Sequence, residues 1–157
     1  MNAAPPGYVI DTCSLTALRR VYPEDVFPGV WDKLDKIAES GLLISTEEVY
    51  EELKVQEDVV FQWAKNHSTI FQPLDEITQR EVKNILARHP DLIDLKKKKS
   101  SADPFLIACA KVNSCAVVTE ERSSGAALRP KIPDVCRYER IVCISLLELF
   151  RREGLKL

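Results

Sequence analysis

Five carboxylates fall where they can share one edge of a folded chain. Asp11 ends the apolar run Tyr8–Ile10 in "YVIDTCSLTAL", and Glu120 and Glu121 end the run in "CAVVTEE". Asp103 stands ahead of the helix-like "PFLIACAKV", and Glu52 lies within "STEEVYEELK". A carboxylate at the end of a buried strand costs free energy unless something pairs it. In the last of these segments Val49, Glu52 and Leu53 share a helical face by i, i+3 and i+4 spacing. Glu52 therefore points where apolar residues point, whereas Glu47 and Glu51 point elsewhere. Four such acids at one edge would repel and raise one another's pKa. A divalent cation removes that repulsion. Hard oxygen donors in low number suit Mg²⁺ or Mn²⁺, which keep several waters and take up a substrate's phosphate. The chemistry to expect is phosphodiester hydrolysis, the metal activating a water and neutralising the leaving oxygen.

The elements that must position these acids alternate in type. A first strand, Tyr8 to Ile10, leads into the helix-like "SLTALRRVY". In "YPEDVFPGVWDKLDKIAESG", Trp31, Leu34, Ile37 and Ala38 recur at helical spacing, and Gly41 stands where a C-terminal cap glycine belongs. "LLIS" reads as a short buried strand. Ser45 and Glu48 are spaced as a capping box for the helix after it. "VVFQWAKNH" is helical, "TIFQPL" is a short extended piece, and "DEITQREVKNILARH" is an amphipathic helix stopped by Pro90. Ser101 or Asp103 caps the next helix, with Pro104 in its first turn. After the strand "CAVVTEE", a basic loop runs from Arg122 to Pro133. "RIVCIS" is the last strand, and Ser145 with Glu148 forms a second capping box before "LLELFRR". Uniformly apolar strands alternating with helices predict an α/β fold, three layers around a mainly parallel sheet, over residues 1–157 as one domain. In such sheets ligands bind beyond the carboxyl ends of the strands, where the acids fall.

The chain has 157 residues, 45% hydrophobic and 29% charged, so a core can form without a disulfide or metal staple. Lys plus Arg total 22 against 24 Asp plus Glu. That balance argues against a protein that coats nucleic acid non-specifically, while one basic patch suffices for a transient substrate. The five cysteines, Cys13, Cys109, Cys115, Cys136 and Cys143, are odd in number and contain no C-x-x-C pair. They read as small buried hydrophobes in a reducing compartment. No secretory signal precedes Tyr8 and no apolar stretch reaches the ~20 residues of a membrane span, so the expectation is a soluble cytoplasmic protein without a membrane partner.

"YVIDTCSL", "EVYEEL", "SADPFLIACA" and "VVTEE", in this order, resemble the PIN-domain nucleases, VapC-type toxins among them. "YPEDVFPGVWDKL", "SADPFLIACA" and "IPDVC" resemble a prokaryotic subfamily of PIN-like proteins of about this length. The resemblance implies a Mg²⁺- or Mn²⁺-dependent ribonuclease acting on RNA, often held silent by an antitoxin, with a homodimer contact on the helices before and after Glu52. It implies Asp11, Glu52, Asp103 and Glu121 as metal ligands and catalytic acids. Glu121 stands where the family has Asp in a T-x-D motif, and Glu120 is the alternate. Thr12, Ser14 and Thr119 are hydrogen-bond partners that orient the carboxylates.

Each acid also has a structural reading: Asp11 and Asp103 as helix caps, Glu120 and Glu121 as solvated loop. The run Lys96, Lys97, Lys98 and Lys99 reads as a solvated loop or as a phosphate-contacting flap, and Arg122, Arg129 and Lys131 can serve the other side of a cleft. Trp31 and Trp63 read as core, and His67 and His89 as helix ends. A response-regulator-like receiver would want a second acid beside Asp11 and a phosphoacceptor Asp after a middle strand, which "DTCS" and "LLIS" do not supply. A haloacid-dehalogenase-type phosphatase would want Asp where Cys13 stands. The alternative kept beside the ribonuclease is a degenerate PIN-like module that binds RNA or a protein without cutting.

Overall fold

The computed structural model of the chain describes residues 7–92, 102–123 and 130–157. Five strands, β1 (Tyr8–Ile10), β2 (Leu43–Thr46), β3 (Phe71–Gln72), β4 (Ala116–Val118) and β5 (Cys143–Ile144), form one sheet in the order β3-β2-β1-β4-β5. Every neighbouring pair is parallel, with Tyr8 opposite both Leu43 and Ala116. The two central strands β1 and β4 are buried on both faces, as their unbroken apolar runs require. Val9, Ile10, Val117 and Val118 are all fully buried.

Eight helices of the described residues cover the sheet: α1 (Thr12–Val21), α2 (Pro28–Glu39), α3 (Glu47–Lys54), α4 (Val59–Asn66), α5 (Glu76–Arg88), α6 (Asp103–Asn113), α7 (Ile132–Glu139) and α8 (Leu146–Arg152). Helices α1, α3 and α4 pack on one another, whereas α5 packs on α6 and α6 lies across β1, β2 and β4. The crossovers from β1 through β2 to β3 run one way across the sheet, and the β3–β4 crossover that carries α5 and α6 runs back the other way. Right-handedness therefore places these two groups on opposite faces. The result is the three-layer α/β/α arrangement that the alternation of elements predicts. The chain reverses direction across the sheet between β1 and β4, so that junction is the switch point where open α/β sheets leave a crevice.

Local sequence accounts for most of these elements. The face of α2 carrying Trp31, Leu34, Ile37 and Ala38 is buried, Pro28 occupies its first turn, and Gly41 follows its end with φ of +83°. Helix α6 is apolar nearly all round, with Leu106 to Ala110 buried, because it is covered by α5 while crossing the middle of the sheet. Trp31 and Trp63 are core residues, and their indole N–H groups donate to Tyr22 O and Asp35 Oδ1. His67 and His89 are the C-caps of α4 and α5.

Four local expectations are corrected. Strand β2 runs one residue further than "LLIS", so Thr46 rather than Ser45 caps α3, accepting from Val49 N at 3.3 Å. Ser45 instead donates to Ile10 O at 2.6 Å and ties β2 to the end of β1. Asp103 is the first residue of α6, not its cap; the cap position is Ala102, which has no side chain to offer. The loop expected to run to Pro133 ends before Ile132, where α7 begins with Pro133 in its first turn and runs on to Glu139. Ser145 does cap α8, accepting from Glu148 N at 3.1 Å, while the Glu148 carboxylate pairs with Arg151 and Arg152 instead of closing the box.

Candidate functional site

Asp11 leaves β1 at the switch point and is only 5% exposed. It is the N-cap of α1, and Oδ1 accepts from Thr12 N at 2.8 Å. Capping accounts for one oxygen. The other, Oδ2, accepts from Thr119 Oγ1 at 2.9 Å and from the Cys13 thiol at 3.0 Å. Thr119 follows β4, whose Val118 carbonyl accepts from Asp11 N at 2.9 Å, so strand pairing sets the two side chains opposite one another. Burial pushes the Asp11 carboxyl above the ordinary carboxylate range; the three donors and the neighbouring Glu120 charge change the size of that shift but not its direction.

Glu52 comes to the same corner from α3. Its carboxyl too is pushed up, first by burial and then by the Asp11 charge, against the opposing effect of Thr12 and of the Ala102 amide. Ala102 N donates to Glu52 Oε1 at 3.2 Å, which brings Glu52 to the threshold of α6, where the half-buried Asp103 is the next residue. Thr12 Oγ1 is shut off from solvent, and among the described residues its approach to the Glu52 carboxyl falls short of ordinary hydrogen-bond geometry. A buried hydroxyl left that way ordinarily has a water or a ligand to satisfy it.

Glu120 and Glu121 diverge. Glu120 Oε1 accepts from Ser14 Oγ at 3.2 Å and from Leu146 N at 2.8 Å, so it faces Asp11's side while stabilising the start of α8. Glu121 Oε2 accepts from Ile132 N at 3.1 Å and closes the start of α7. Helix α7, not legible in the sequence, is what draws Glu121 away. Thr119 also accepts from Glu121 N, so it holds both the strand end and Asp11. Arg122 is exposed beside these acids, and Lys96, Lys97, Lys98 and Lys99 lie outside the described residues, as does Arg129.

Cys13 is the residue that sequence reasoning missed. Besides Asp11 it contacts Thr119 Oγ1 at 3.3 Å and accepts from Glu120 N at 3.2 Å. Burial, then the Asp11 charge, pushes its thiol up to about 12, so at neutral pH it is a donor to Asp11 and not a thiolate ligand. A lone Cys two residues beyond an Asp carries no signal by spacing; only the turn of α1 folds it back.

Among the described residues no three Asp, Glu, His or Cys side chains converge to enclose a metal ion. Mg²⁺ does not ask for that: one or two carboxylates, waters and a substrate phosphate complete its shell. Asp11 and Glu52 are two hard-oxygen carboxylates at one corner, the Asp11 charge disfavouring that of Glu52, with the buried Thr12 hydroxyl beside them. The donor set fits Mg²⁺ or Mn²⁺.

No curated protein matches the chain. The model of a family described as a domain of unknown function (DUF4411) matches residues 8–157, from the first residue of β1 to the last of the chain, with every acid of the corner inside it. The chain therefore belongs to the DUF4411 family.

Proposed function

We propose that the corner beyond β1 and β4 holds Mg²⁺ or Mn²⁺ and that the protein is an endoribonuclease hydrolysing RNA phosphodiester bonds. One observation carries this reading: Asp11 stays at a buried position where burial disfavours its charge despite three donors, and Glu52, which feels the Asp11 charge, is disfavoured by burial in the same way. Carboxylates kept at such cost mark functional sites. A bound divalent cation supplies an activated water and neutralises charge on the leaving oxygen. The chain's own groups do the positioning. Thr119, Cys13 and Thr12 N fix both Asp11 oxygens, Ala102 N fixes Glu52, and Ser14 with Leu146 N fixes Glu120. Asp103, at the head of α6, is the third acid. The resemblance of four ordered motifs to PIN-domain nucleases supports the same reading, and the toxin role, antitoxin partner and homodimer rest on that resemblance alone.

Glu120 is the fourth acid of this proposal and Glu121 a cap of α7. Glu120→Gln is accordingly expected to lower the cleavage rate about tenfold or more, and Glu121→Gln to change it less than threefold while lowering thermal stability by about 0.5–1 kcal/mol. Steady-state cleavage rates and melting curves of the two variants check this.

The function is tested by incubating the purified protein with labelled single-stranded RNA in Mn²⁺, with and without EDTA. Internal cleavage that EDTA abolishes is expected. The second reading, a module that binds RNA or protein without cutting, is favoured by the engagement of Glu121 at α7. Intact RNA in Mn²⁺ and in Mg²⁺ would decide for it.

A further inference from the structure

An open, polar cleft of about 570 Å³ begins at Thr119 and Glu120 and runs past the carboxyl ends of β4 and β5. Its volume lies within the ~300–1,000 Å³ of ligand sites. Four charged side chains line it, two of each sign. Both acids are engaged: Glu120 with Ser14 and Leu146 N, Glu121 with Ile132 N. Both cations, Arg122 beyond β4 and Arg137 on α7, are exposed and make no ion pair among the described residues. Most other described arginines are tied up, as Arg19 is with Asp58, Arg88 with Glu139, and Arg151 and Arg152 with Glu148. Pro133 and Arg137, one turn apart on α7, present the same face to the cleft.

A chain of net charge −2 that cuts a polyanion has to concentrate free cations where the polyanion lies. We propose that Arg137, with Arg122, binds backbone phosphates of single-stranded RNA in this cleft, on the β5 side of the bond that is cut. Arg137 is a positioning residue and touches no reacting atom. This inference rests on the ribonuclease reading for its substrate class. A guanidinium takes a phosphate in two parallel hydrogen bonds. Ser145, whose oxygen caps α8, keeps a hydroxyl hydrogen on the same wall, whereas the Ser123 hydroxyl is donated to Asp134.

The test is a fluorescence-anisotropy titration of a short labelled oligouridylate in EDTA, over a range of salt concentrations, on wild type, Arg137→Ala, Arg137→Lys and Arg20→Ala. Arg20 is an exposed cation at the end of α1 outside the cleft. Arg137→Ala is expected to weaken binding about three- to tenfold and to make the slope of log K against log salt shallower by about 0.7, the value for one phosphate of a single strand. Arg137→Lys should retain that slope, and Arg20→Ala should match wild type. Equal affinity and slope in wild type and Arg137→Ala would overturn the inference, as would a wild type that does not bind the oligonucleotide. Cleavage of the same oligonucleotide in Mn²⁺ separates the two readings. A wild type that binds through Arg137 but never cuts sinks the ribonuclease and leaves the cleft standing.

Discussion

Asp11→Asn is expected to abolish RNA cleavage and, in the same protein, to raise the midpoint of thermal unfolding. The two effects have one cause. The Asp11 carboxyl is pushed up mainly by burial, so at neutral pH its charge destabilises the folded state relative to the unfolded chain. The sign is opposite to that of a salt-bridged acid. Stability attached to Asp11 is full below the ordinary carboxylate pKa and is lost as pH rises through the elevated folded-state value. Asn is nearly isosteric and neutral. Its amide can donate to Thr119 Oγ1 and Cys13 Sγ, both able to accept, while its oxygen keeps Thr12 N. Removing the charge should therefore raise the melting midpoint. Catalysis is expected to fall by about a hundredfold or more, because Asn cannot supply the charge that attracts a divalent cation. A loss of activity accompanied by a lowered midpoint would point to a structural role for Asp11 instead. This trade of stability for a strained, charged site is common at active sites.

The largest destabilisation is expected far from that corner, at Glu139. Its side chain is 1% exposed at the end of α7 and gathers two cations and an imidazole. Arg88 contributes Nε at 2.9 Å and Nη2 at 2.6 Å, Lys111 Nζ lies at 2.5 Å, and His89 Nε2 at 2.9 Å. One carboxylate thus pins α5, α6 and α7 together. The Arg88 hydrogen bonds, then those from Lys111 and His89, hold the Glu139 carboxyl at about 2 against its ordinary 4.5, with burial opposing them. Glu139→Ala is expected to cost about 2 kcal/mol. That is less than the ~3–5 of a fully buried pair, because Arg88 and Lys111 are 36% and 38% exposed and water screens them. The pH dependence follows from a depressed acid: its contribution is present above pH ~4.5 and is lost as pH falls towards 2. Melting curves of wild type and Glu139→Ala should therefore differ by a constant amount near neutrality and converge below pH ~4.5. A gap that persists undiminished at pH 2–3 would show that packing, not charge, accounts for it. RNA cleavage should survive in Glu139→Ala at temperatures below its melt.

Most of the sheet and half of the corner are legible in the sequence, and the reasons are local. "YVI" and "AVV" are apolar at every position because both faces are covered, and each run stops at polar residues where its strand stops. Glu52 is placed by helical spacing alone. The misreadings begin where a choice depends on something distant. Ser45 and Thr46 are both competent caps; the Ile10 carbonyl, 35 residues earlier, takes the Ser45 hydroxyl and leaves Thr46 for the helix. Helix α7 is eight residues long with Pro in its first turn, too short for periodicity to outweigh the Gly- and Pro-containing approach. Missing α7 in turn hides both the destination of Glu121 and the Glu139 cluster, whose partners Arg88 and Lys111 are 51 and 28 residues away. Cys13 follows the same rule. Its contacts to Thr119 and Glu120 span 106 and 107 residues, and nothing in its immediate neighbourhood announces them.

On the proposed function, Asp11 ends its strand in charge because a divalent cation meets it there. Calorimetric titration of Mn²⁺ into wild type and Asp11→Asn tests this without reference to any RNA. Saturable binding to wild type, lost in Asp11→Asn although that variant is the more stable protein, is the predicted result. Mn²⁺ binding of equal strength in both proteins, or in neither, would contradict it.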